Sequence, residues 1–435
     1  MQFYSTNNPA LRLSLREAVM AGLAVDGGLY MPTSLPTLPQ SAIQQLSHLS
    51  TPEVAQLVLQ PFIGDEVPTT VLQRICSEAF NFPIPLVKLT EDIGVLELWH
   101  GPTLAFKDVG ARFMAQVMGY FAEQSQRVLT VLVATSGDTG SAVAHGFYRV
   151  PGIRVVILYP RGRVSHVQEQ QLTTLGDNVS ALSVAGSFDD CQKLVKQAFV
   201  DADLKQHLQL TSANSINIAR LLPQMLYYWL AYQQVVSFGL PIVFSVPSGN
   251  FGNLTAGLMA KRMGLSAQFI AATNSNDVVP DYLHTGTFVP RESLTTISNA
   301  MDVGNPSNFV RLLELYQHEV TTMRRDMVGY RTTDDETRQI IAQIYQNHQY
   351  LFDPHGAVGY HALQQYRATK PTAHYGIVLA TAHPAKFAEV IEPVIHAAVP
   401  LLERLAQCLH LPNLSSPLDN DFAQLKEYLL NSATT

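Results

Sequence analysis

Residues 242–253 read IVFSVPSGNFGN, and this stretch holds the pattern that decides the fold. Residues 242–246 are mostly apolar and β-branched and carry no charge, as expected for a strand buried on both faces of a parallel sheet. A glycine-rich turn follows, and residues 254–263 then have the period of an amphipathic helix. A strand, a tight turn and a helix in this order are typical of a βαβ unit.

The same alternation extends from about residue 95 to residue 380. Other short apolar runs predict strands at 128–134, 154–159, 179–184, 269–272 and 375–380. Helical periodicity predicts helices at 111–121, 189–199, 216–232, 334–347 and 357–366. We therefore predict a doubly wound α/β protein with mostly parallel sheets.

A length of 435 residues predicts two or three domains. The first 95 residues contain helix-like stretches at 14–24, 51–59 and 68–80, many prolines and no clear chemistry. We expect them to form an N-terminal, mainly helical accessory domain, 1–95. The remainder is expected to form a large α/β domain from 96–127 and 240–435, and a small α/β domain from 128–239.

Composition excludes several classes of function. Apolar residues make up 47% of the chain and charged residues 14%, which indicates a large buried interior. A net charge of -7 gives no support for binding nucleic acid or an anionic membrane, and no apolar run is long enough to span a bilayer. Cys76, Cys191 and Cys408 are odd in number and far apart, and residues 1–5 do not resemble a signal peptide. We expect a cytoplasmic protein without disulfides.

Three predicted strands end in turns rich in Gly, Ser or Thr, at residues 135–140, 248–253 and 381–384. Ligands of open parallel sheets bind outside the carboxyl ends of the strands, so the three turns are expected to face one crevice. Residues 248–253 are typical of an anion cradle at a helix N-terminus, although they match neither the dinucleotide nor the ATP fingerprint. A tight turn that binds nothing is the alternative, and a simple helix cap is the alternative at 135–140.

Lys107 is the candidate nucleophile, in the segment HGPTLAFKD at residues 100–108. Apolar surroundings favour the neutral amine of a lysine, which is the form that attacks an aldehyde. A solvated surface lysine is the alternative. His100, His355 and His383 adjoin Gly or Pro turns without metal-ligand spacing and are interpreted as structural hydrogen-bonding residues.

Six segments together resemble one enzyme family: GPTLAFKD (101–108), ATSGDTG (134–140), SANSIN (212–217), SVPSGNFG (245–252), SNAMDV (298–303) and TAHPAKF (381–387). In order and spacing they are similar to the threonine synthases of the bacterial and fungal branch. The resemblance implies a pyridoxal-phosphate (PLP) enzyme of the tryptophan-synthase β-chain fold, also called fold type II. The PLP site would lie between two lobes and belong mainly to the large domain.

The resemblance also implies roles for individual residues. Lys107 would carry PLP as a Schiff base and act as the catalytic base. The cofactor contacts would be Gly249, Asn250, Phe251, Gly252 and Asn253 at the phosphate, Thr381 at the pyridine nitrogen, and Asp138, where many relatives of the fold have Asn. The substrate contacts would be Ser136, Thr139, Asn214, Ser215 and Arg220.

The implied reaction converts O-phosphohomoserine and water to L-threonine and phosphate, the last step of threonine biosynthesis. The expected partner is this small molecule, for a chain acting as a monomer or homodimer without nucleic acid or membrane. Three alternatives stay open from the residues: a threonine or serine dehydratase of the same fold, a non-catalytic binding protein, and a nucleotide-binding enzyme.

Overall fold

The computed structural model describes residues 1–125, 127–135 and 137–431. Its strands, in chain order, are β1 (Phe3–Ser5), β2 (Arg12–Leu13), β3 (Tyr30–Pro32), β4 (Leu86–Lys88), β5 (Ile93–Glu97), β6 (Leu129–Ala134), β7 (Ile153–Pro160), β8 (Val179–Val184), β9 (Gln209–Thr211), β10 (Ile242–Pro247), β11 (Gln268–Thr273), β12 (Met327–Arg331), β13 (Tyr375–Ala380) and β14 (Ser416–Leu418).

Its α-helices are α1 (Leu15–Ala21), α2 (Gln40–Gln45), α3 (Thr51–Ile63), α4 (Thr69–Ala79), α5 (Lys107–Ser125), α6 (Asp138–Phe147), α7 (His166–Thr173), α8 (Phe188–Val200), α9 (Ala202–His207), α10 (Ile218–Leu221), α11 (Met225–Val235), α12 (Gly252–Arg262), α13 (Val278–Thr285), α14 (Phe309–Leu315), α15 (Val320–Asp326), α16 (Asp334–His348), α17 (Pro354–Thr369), α18 (Ala388–Ile395), α19 (Glu403–Leu409) and α20 (Phe422–Asn431).

Two mainly parallel sheets form the body of the protein and confirm the predicted α/β class. The first has the order β12-β11-β10-β13-β5-β4, and only the β4–β5 pair in it is antiparallel. The second has the order β14-β8-β7-β6-β9 and is parallel throughout. The inner strands β6, β10 and β13 are buried along their whole length, which explains why they read as continuous apolar runs.

The six predicted strands of the α/β region are all confirmed to within two residues. The predicted helix at 216–232 was wrong as a continuous element, because Pro223 lies inside it. A proline has no N–H for the helical ladder, and the chain there forms α10, a 3₁₀ turn at Leu222–Gln224 and then α11. The other five strands of the two sheets, β4, β5, β9, β12 and β14, were not predicted.

The N-terminal region contains its three predicted helices as α1, α3 and α4, together with an antiparallel sheet of order β2-β1-β3 that was not predicted. Those strands have only two or three residues, too few to show an alternating pattern. At the other end of the chain, β14 pairs with β8 of the second sheet, although residues 240–435 were assigned to the large domain. The predicted domain limits themselves stay a prediction.

The buried apolar side chains form a main cluster that joins the N-terminal helices to both sheets, and two smaller clusters around the outer helices. None of the helices in the described ranges is long and apolar enough to cross a membrane. The carboxyl ends of β10 and β13 lie beside each other because these strands are parallel neighbours, and this edge positions the candidate site.

Candidate functional site

One cavity lies at the carboxyl ends of β10 and β13, with an empty volume of about 780 Å³ including the solvent at its mouth. It is lined by Phe106, Lys107, Gly110, Thr139, Ser215, Arg220, Gln224, Tyr227, Pro247, Ser248, Gly249, Asn250, Phe251, Gly252, Asn253, Ala300, Met301, His355 and Thr381. Ten of the predicted site residues are in this set: Lys107, Thr139, Ser215, Arg220, Gly249, Asn250, Phe251, Gly252, Asn253 and Thr381. The expectation that separate turns face one crevice therefore agrees with the geometry.

Residues 248–253 form the glycine loop, which leads from β10 into α12. A Cβ atom on Gly249 would lie 2.8 Å from both the carbonyl oxygen of Ala300 and the Cα of Met301, so only glycine fits there. Phe251 has a left-handed backbone with φ 61°, and α12 begins at the next residue. The helix therefore presents its free N–H groups and its positive dipole end at the cavity.

The amide of Asn253 adds a further donor at this helix start. Its Oδ1 accepts a hydrogen bond of 2.8 Å from the hydroxyl of Tyr228, which fixes the orientation of the amide. Its Nδ2 is buried and has no hydrogen-bond partner among the described residues. An unpaired buried donor costs free energy, so the atom is suited to an anion that the cavity would hold.

Lys107 is the first residue of α5, and hydrogen bonds between Thr103 and Asp108 on either side of it fix its position. The carboxylate of Asp108 accepts hydrogen bonds from the backbone N–H and the hydroxyl of Thr103, at 2.8 and 2.7 Å. The preceding residue, Phe106, donates its N–H to the carbonyl of Thr381 at 2.8 Å and accepts a hydrogen bond of 2.6 Å from Tyr227. These bonds tie the start of α5 to the end of β13, so that Lys107 and Thr381 line the same cavity.

The surroundings of Lys107 favour its neutral amine. Burial lowers the pKa of the amine most, Asp138 raises it, and the positive charges of Arg220 and Lys386 lower it again, with a net pKa below the ordinary value. Asp138 cannot serve as a dedicated counterion for Lys107, because its carboxylate is 2.5 Å from the ammonium of Lys386. The amine is therefore suited to attack a carbonyl carbon and to exchange protons.

Asp138 and Lys386 form a buried ion pair beside the cavity. The Asp138 carboxylate also accepts a hydrogen bond of 2.9 Å from Gln168, and the Lys386 ammonium donates one of 3.0 Å to the carbonyl of Thr103. Burial raises the pKa of Asp138, but Lys386 and then Lys107 lower it more, so that the net pKa lies below its usual range. Asp138 does not line the cavity and stays a predicted cofactor contact.

Arg220 contributes a positive charge to another part of the cavity wall. Its Nη1 donates to the carbonyl of Ala213 at 2.8 Å, whereas its Nε is buried without a partner. Burial lowers the pKa of its guanidinium to about 10, and it forms no ion pair with any carboxylate in the described ranges. A buried cation without a counterion is suited to a phosphate group. Gly110 permits this arrangement, since a Cβ there would be 2.9 Å from the carbonyl of Arg220.

Two further residues, Asn214 and Ser136, were predicted to contact the substrate. Asn214 is not among the residues that line the cavity, and its backbone N–H donates to the hydroxyl of Ser212 at 3.3 Å. Ser136 lies outside the described residues. Both stay predictions.

Sequence reasoning missed several residues of the cavity wall. Gln224 and Tyr227 lie four and seven positions after Arg220, a helical spacing that could have indicated a shared face. Ala300 and Met301 belong to the SNAMDV segment, which carried the resemblance without a role for its residues. His355, interpreted as a structural residue, accepts a hydrogen bond of 3.2 Å from the N–H of Ala300 and contacts Asp353 through its other ring nitrogen at 2.6 Å. It therefore holds residues 300–301 against the glycine loop.

Three models of known protein families together match residues 2–429 of the chain. A family model described as "Pyridoxal-phosphate dependent enzyme" matches residues 81–380. Models described as "Threonine synthase N terminus" and "Threonine synthase, C-terminal" match residues 2–80 and 356–429.

Individual relatives match over the full length. The chain is 45% identical to threonine synthase of Escherichia coli (strain K12), over 99% of this chain and 100% of the relative. The crystal structure of the Escherichia coli protein superimposes with a TM-score of 0.90 at 44% identity, covering 99% of this chain and 100% of that one. The PLP-bound threonine synthase of Brucella melitensis gives a TM-score of 0.95 at 37% identity, with 100% of both chains covered. The resemblance found in the sequence is thus confirmed, and the chain belongs to the threonine synthases, within the pyridoxal-phosphate-dependent enzymes.

Proposed function

We propose that this chain converts O-phosphohomoserine and water to L-threonine and phosphate, with PLP at the glycine loop and Lys107 as the catalytic base. One observation carries the proposal: Lys107, the N-terminus of α12 and Arg220, whose buried Nε has no partner among the described residues, all line one cavity. Its membership of the threonine synthases supports the same reaction.

The residues of the cavity fit PLP. A phosphate group needs close backbone donors, which Gly249, Asn250, Phe251 and Gly252 offer at the start of α12, and the unpartnered Nδ2 of Asn253 adds a side-chain donor. The hydroxyl of Thr381 lies at the end of β13, where it can meet a pyridine nitrogen. Lys107 provides the amine for the aldehyde. We assign these residues to the cofactor.

When bound, PLP supplies the electron sink that acidifies the substrate carbons. The neutral amine of Lys107 takes protons from Cα and Cβ of the substrate and returns a proton at Cγ. Arg220 and Ser215 bind the substrate phosphate and orient it as a leaving group that departs from Cγ with the bonding electron pair, and Thr139 lines the substrate. A water molecule then adds its hydroxyl to Cβ, the second proton held by Lys107 returns to Cα, and the remaining proton of the water leaves with the phosphate, which accounts for every atom of threonine and phosphate.

The proposed partner is this small molecule alone, for a chain that acts as a monomer or a homodimer. Cys76, Cys191 and Cys408 are free thiols, and none of them is arranged in a disulfide. Free thiols of this kind are typical of a reducing compartment, which supports our proposal of a cytoplasmic enzyme.

The direct test is to incubate the purified protein with O-phosphohomoserine and to measure phosphate and threonine together. Equal amounts of both products are expected. Lys107→Ala should abolish turnover and change the visible absorbance of the bound cofactor, whereas Lys88→Ala, at an exposed lysine with 59% of its side chain accessible, should do neither. Formation of a 2-oxo acid and ammonia from threonine, without any phosphate release from O-phosphohomoserine, would instead indicate a dehydratase.

A further inference from the structure

Arg311 is a completely buried cation outside the cavity wall. Its Nε and Nη2 donate to the carbonyl of Tyr30 at 3.2 and 2.9 Å, and Nη2 also donates to the carbonyl of Ile216 at 2.7 Å. Its Nη1 donates to Oδ1 of Asn308 at 2.7 Å. These acceptors are neutral, and no carboxylate in the described part of the chain forms an ion pair with Arg311.

A buried charge without a counterion is strongly unfavourable, and carbonyl dipoles replace only part of its hydration. Burial accordingly lowers the pKa of Arg311 to about 9. The protein nevertheless keeps this side chain fully enclosed, at 0% exposure, and surrounds it with acceptors. A negative charge supplied by a bound group would remove this imbalance.

Asn308 connects Arg311 with the glycine loop. Because its Oδ1 accepts from Arg311, its Nδ2 is directed elsewhere, and this nitrogen is buried without a hydrogen-bond partner among the described residues. It lies 3.4 Å from the position that a Cβ on Gly252 would occupy, at the first residue of α12. The backbone N–H of Asn308 also donates to the carbonyl of Asn250, at 3.2 Å. Asn308 is therefore packed against the predicted phosphate cradle.

We propose that Asn308 donates a hydrogen bond from Nδ2 to the phosphate of the cofactor, and that Arg311 is the positioning residue that orients this amide and supplies the balancing positive charge. The inference rests on the proposed function and extends it, because the glycine loop contains no cationic side chain of its own. Hydrogen bonding of its oxygen to a guanidinium polarises the amide and strengthens its N–H as a donor.

This arrangement also connects two distant segments of the chain to the cofactor site. Tyr30 belongs to β3 of the N-terminal region, and Ile216 belongs to the SANSIN segment ahead of Arg220. Both carbonyls hold Arg311 in place. The N-terminal region thereby contributes to the electrostatics of the cofactor site without touching the cavity.

Asn308→Asp distinguishes this role from a purely structural one. The substitution keeps the shape of the side chain, gives Arg311 a carboxylate partner, and replaces the free donor with an acceptor. A structural role predicts an equal or more stable protein with unchanged ligand binding. Our proposal predicts that binding of PLP weakens by about 10-fold or more, the loss expected for one hydrogen bond to a charged group, whereas binding of pyridoxal, which lacks the phosphate, is unchanged.

The measurement is a titration of the cofactor-free protein with PLP and, separately, with pyridoxal, followed by absorbance. Inorganic phosphate should raise the thermal midpoint of the parent protein and should no longer do so for Asn308→Asp. Asn178→Asp is the matched control, because the amide of Asn178 donates hydrogen bonds to the carbonyls of Phe147 and Ile153 beside the second sheet. In this control variant the ratio of PLP affinity to pyridoxal affinity should equal that of the parent protein.

An unchanged ratio of affinities in Asn308→Asp, or an equal loss for both ligands, would overturn the proposal. If that variant fails to fold, Asn308→Ala and Arg311→Lys carry the same test: a lower ratio in Asn308→Ala, with a smaller decrease in Arg311→Lys, is expected, and parental ratios in both refute the inference. The parent protein could bind PLP and form threonine while these variants keep the parental ratio of PLP affinity to pyridoxal affinity. That result would refute this inference and leave the proposed function intact. A parent that binds no PLP refutes the proposed function instead.

Discussion

Replacing Lys386 by methionine should destabilise the protein by about 3–5 kcal/mol, because the change breaks a buried ion pair and leaves one charge behind. The Lys386 ammonium is 2.5 Å from the Asp138 carboxylate, and the two side chains are 0% and 8% exposed. At that distance and an effective dielectric constant of about 20, the attraction amounts to roughly 7 kcal/mol. Desolvation of several kcal/mol for each ion offsets most of it, so the intact pair contributes little net stability.

A variant that carries both Lys386→Met and Asp138→Asn tests this balance between attraction and desolvation. Lys386→Met leaves the carboxylate unpaired, and Asp138→Asn leaves the ammonium unpaired, so each single change should carry the full penalty. The double change removes both charges and should recover most of the loss. The two side chains are in direct contact, and their substitutions are therefore expected to be strongly non-additive.

The assay is urea unfolding of all four cofactor-free proteins, so that ligand binding makes no contribution to the measured stability. Free energies of unfolding from these curves give the coupling energy of the pair. The reasoning is refuted if Lys386→Met stays within about 1 kcal/mol of the parent, which is the range of ordinary substitutions. It is equally refuted if the double variant loses the sum of the two single losses.

Three further outcomes are expected. Gly249→Ala should reduce the cofactor content of the purified protein, because the added Cβ would lie 2.8 Å from the carbonyl of Ala300, and a parental absorbance spectrum would contradict this. Arg220→Met should lower kcat/KM for O-phosphohomoserine by about 10²-fold, the effect of removing a buried charged partner, with an unchanged midpoint of urea unfolding; steady-state kinetics that match the parent would refute the assignment. Because the folded-state pKa of Asp138 lies below the ordinary value of 3.8, its stabilisation should be complete above that pH and be lost as the pH falls below it. Acid unfolding curves of the parent and Lys386→Met should therefore differ most above that pH and converge below it, and parallel curves would count against the pair.

Much of the fold could be predicted because its signals are local. The strands at β6, β7, β8, β10, β11 and β13 are short apolar runs between turn residues, and such runs are recognisable within a dozen positions. Strand β12 reads as MVGYR and is only half buried, so it lacked the apolar signal that identified the others. At Pro223 the local signal was misleading. The helical period of apolar residues continues through this position, but a proline has no N–H for the helical hydrogen bonds.

The candidate site likewise contains residues that the sequence predicted and a contact that it could not predict. The glycine loop was predicted from the residue types of its turn, and Lys107 from its apolar neighbours together with the family resemblance; both line the cavity. The pairing of Asp138 with Lys386 could not be found, because it joins a turn after β6 to a turn after β13, and no local pattern records that approach.

The sequence by itself determined the βαβ alternation, since hydrophobic period and turn chemistry act over short stretches of chain. Its resemblance to the threonine synthases added the prediction that Lys107 is the reactive lysine and that the turn after β10 is an anion cradle. Only the tertiary structure decided how distant charges are paired: among the described residues no carboxylate forms an ion pair with Arg220, Asp138 is neutralised by Lys386, and Arg311 is enclosed behind Asn308. The physical reason is that burial sets the strength of a charge, and burial is a property of the packed molecule as a whole.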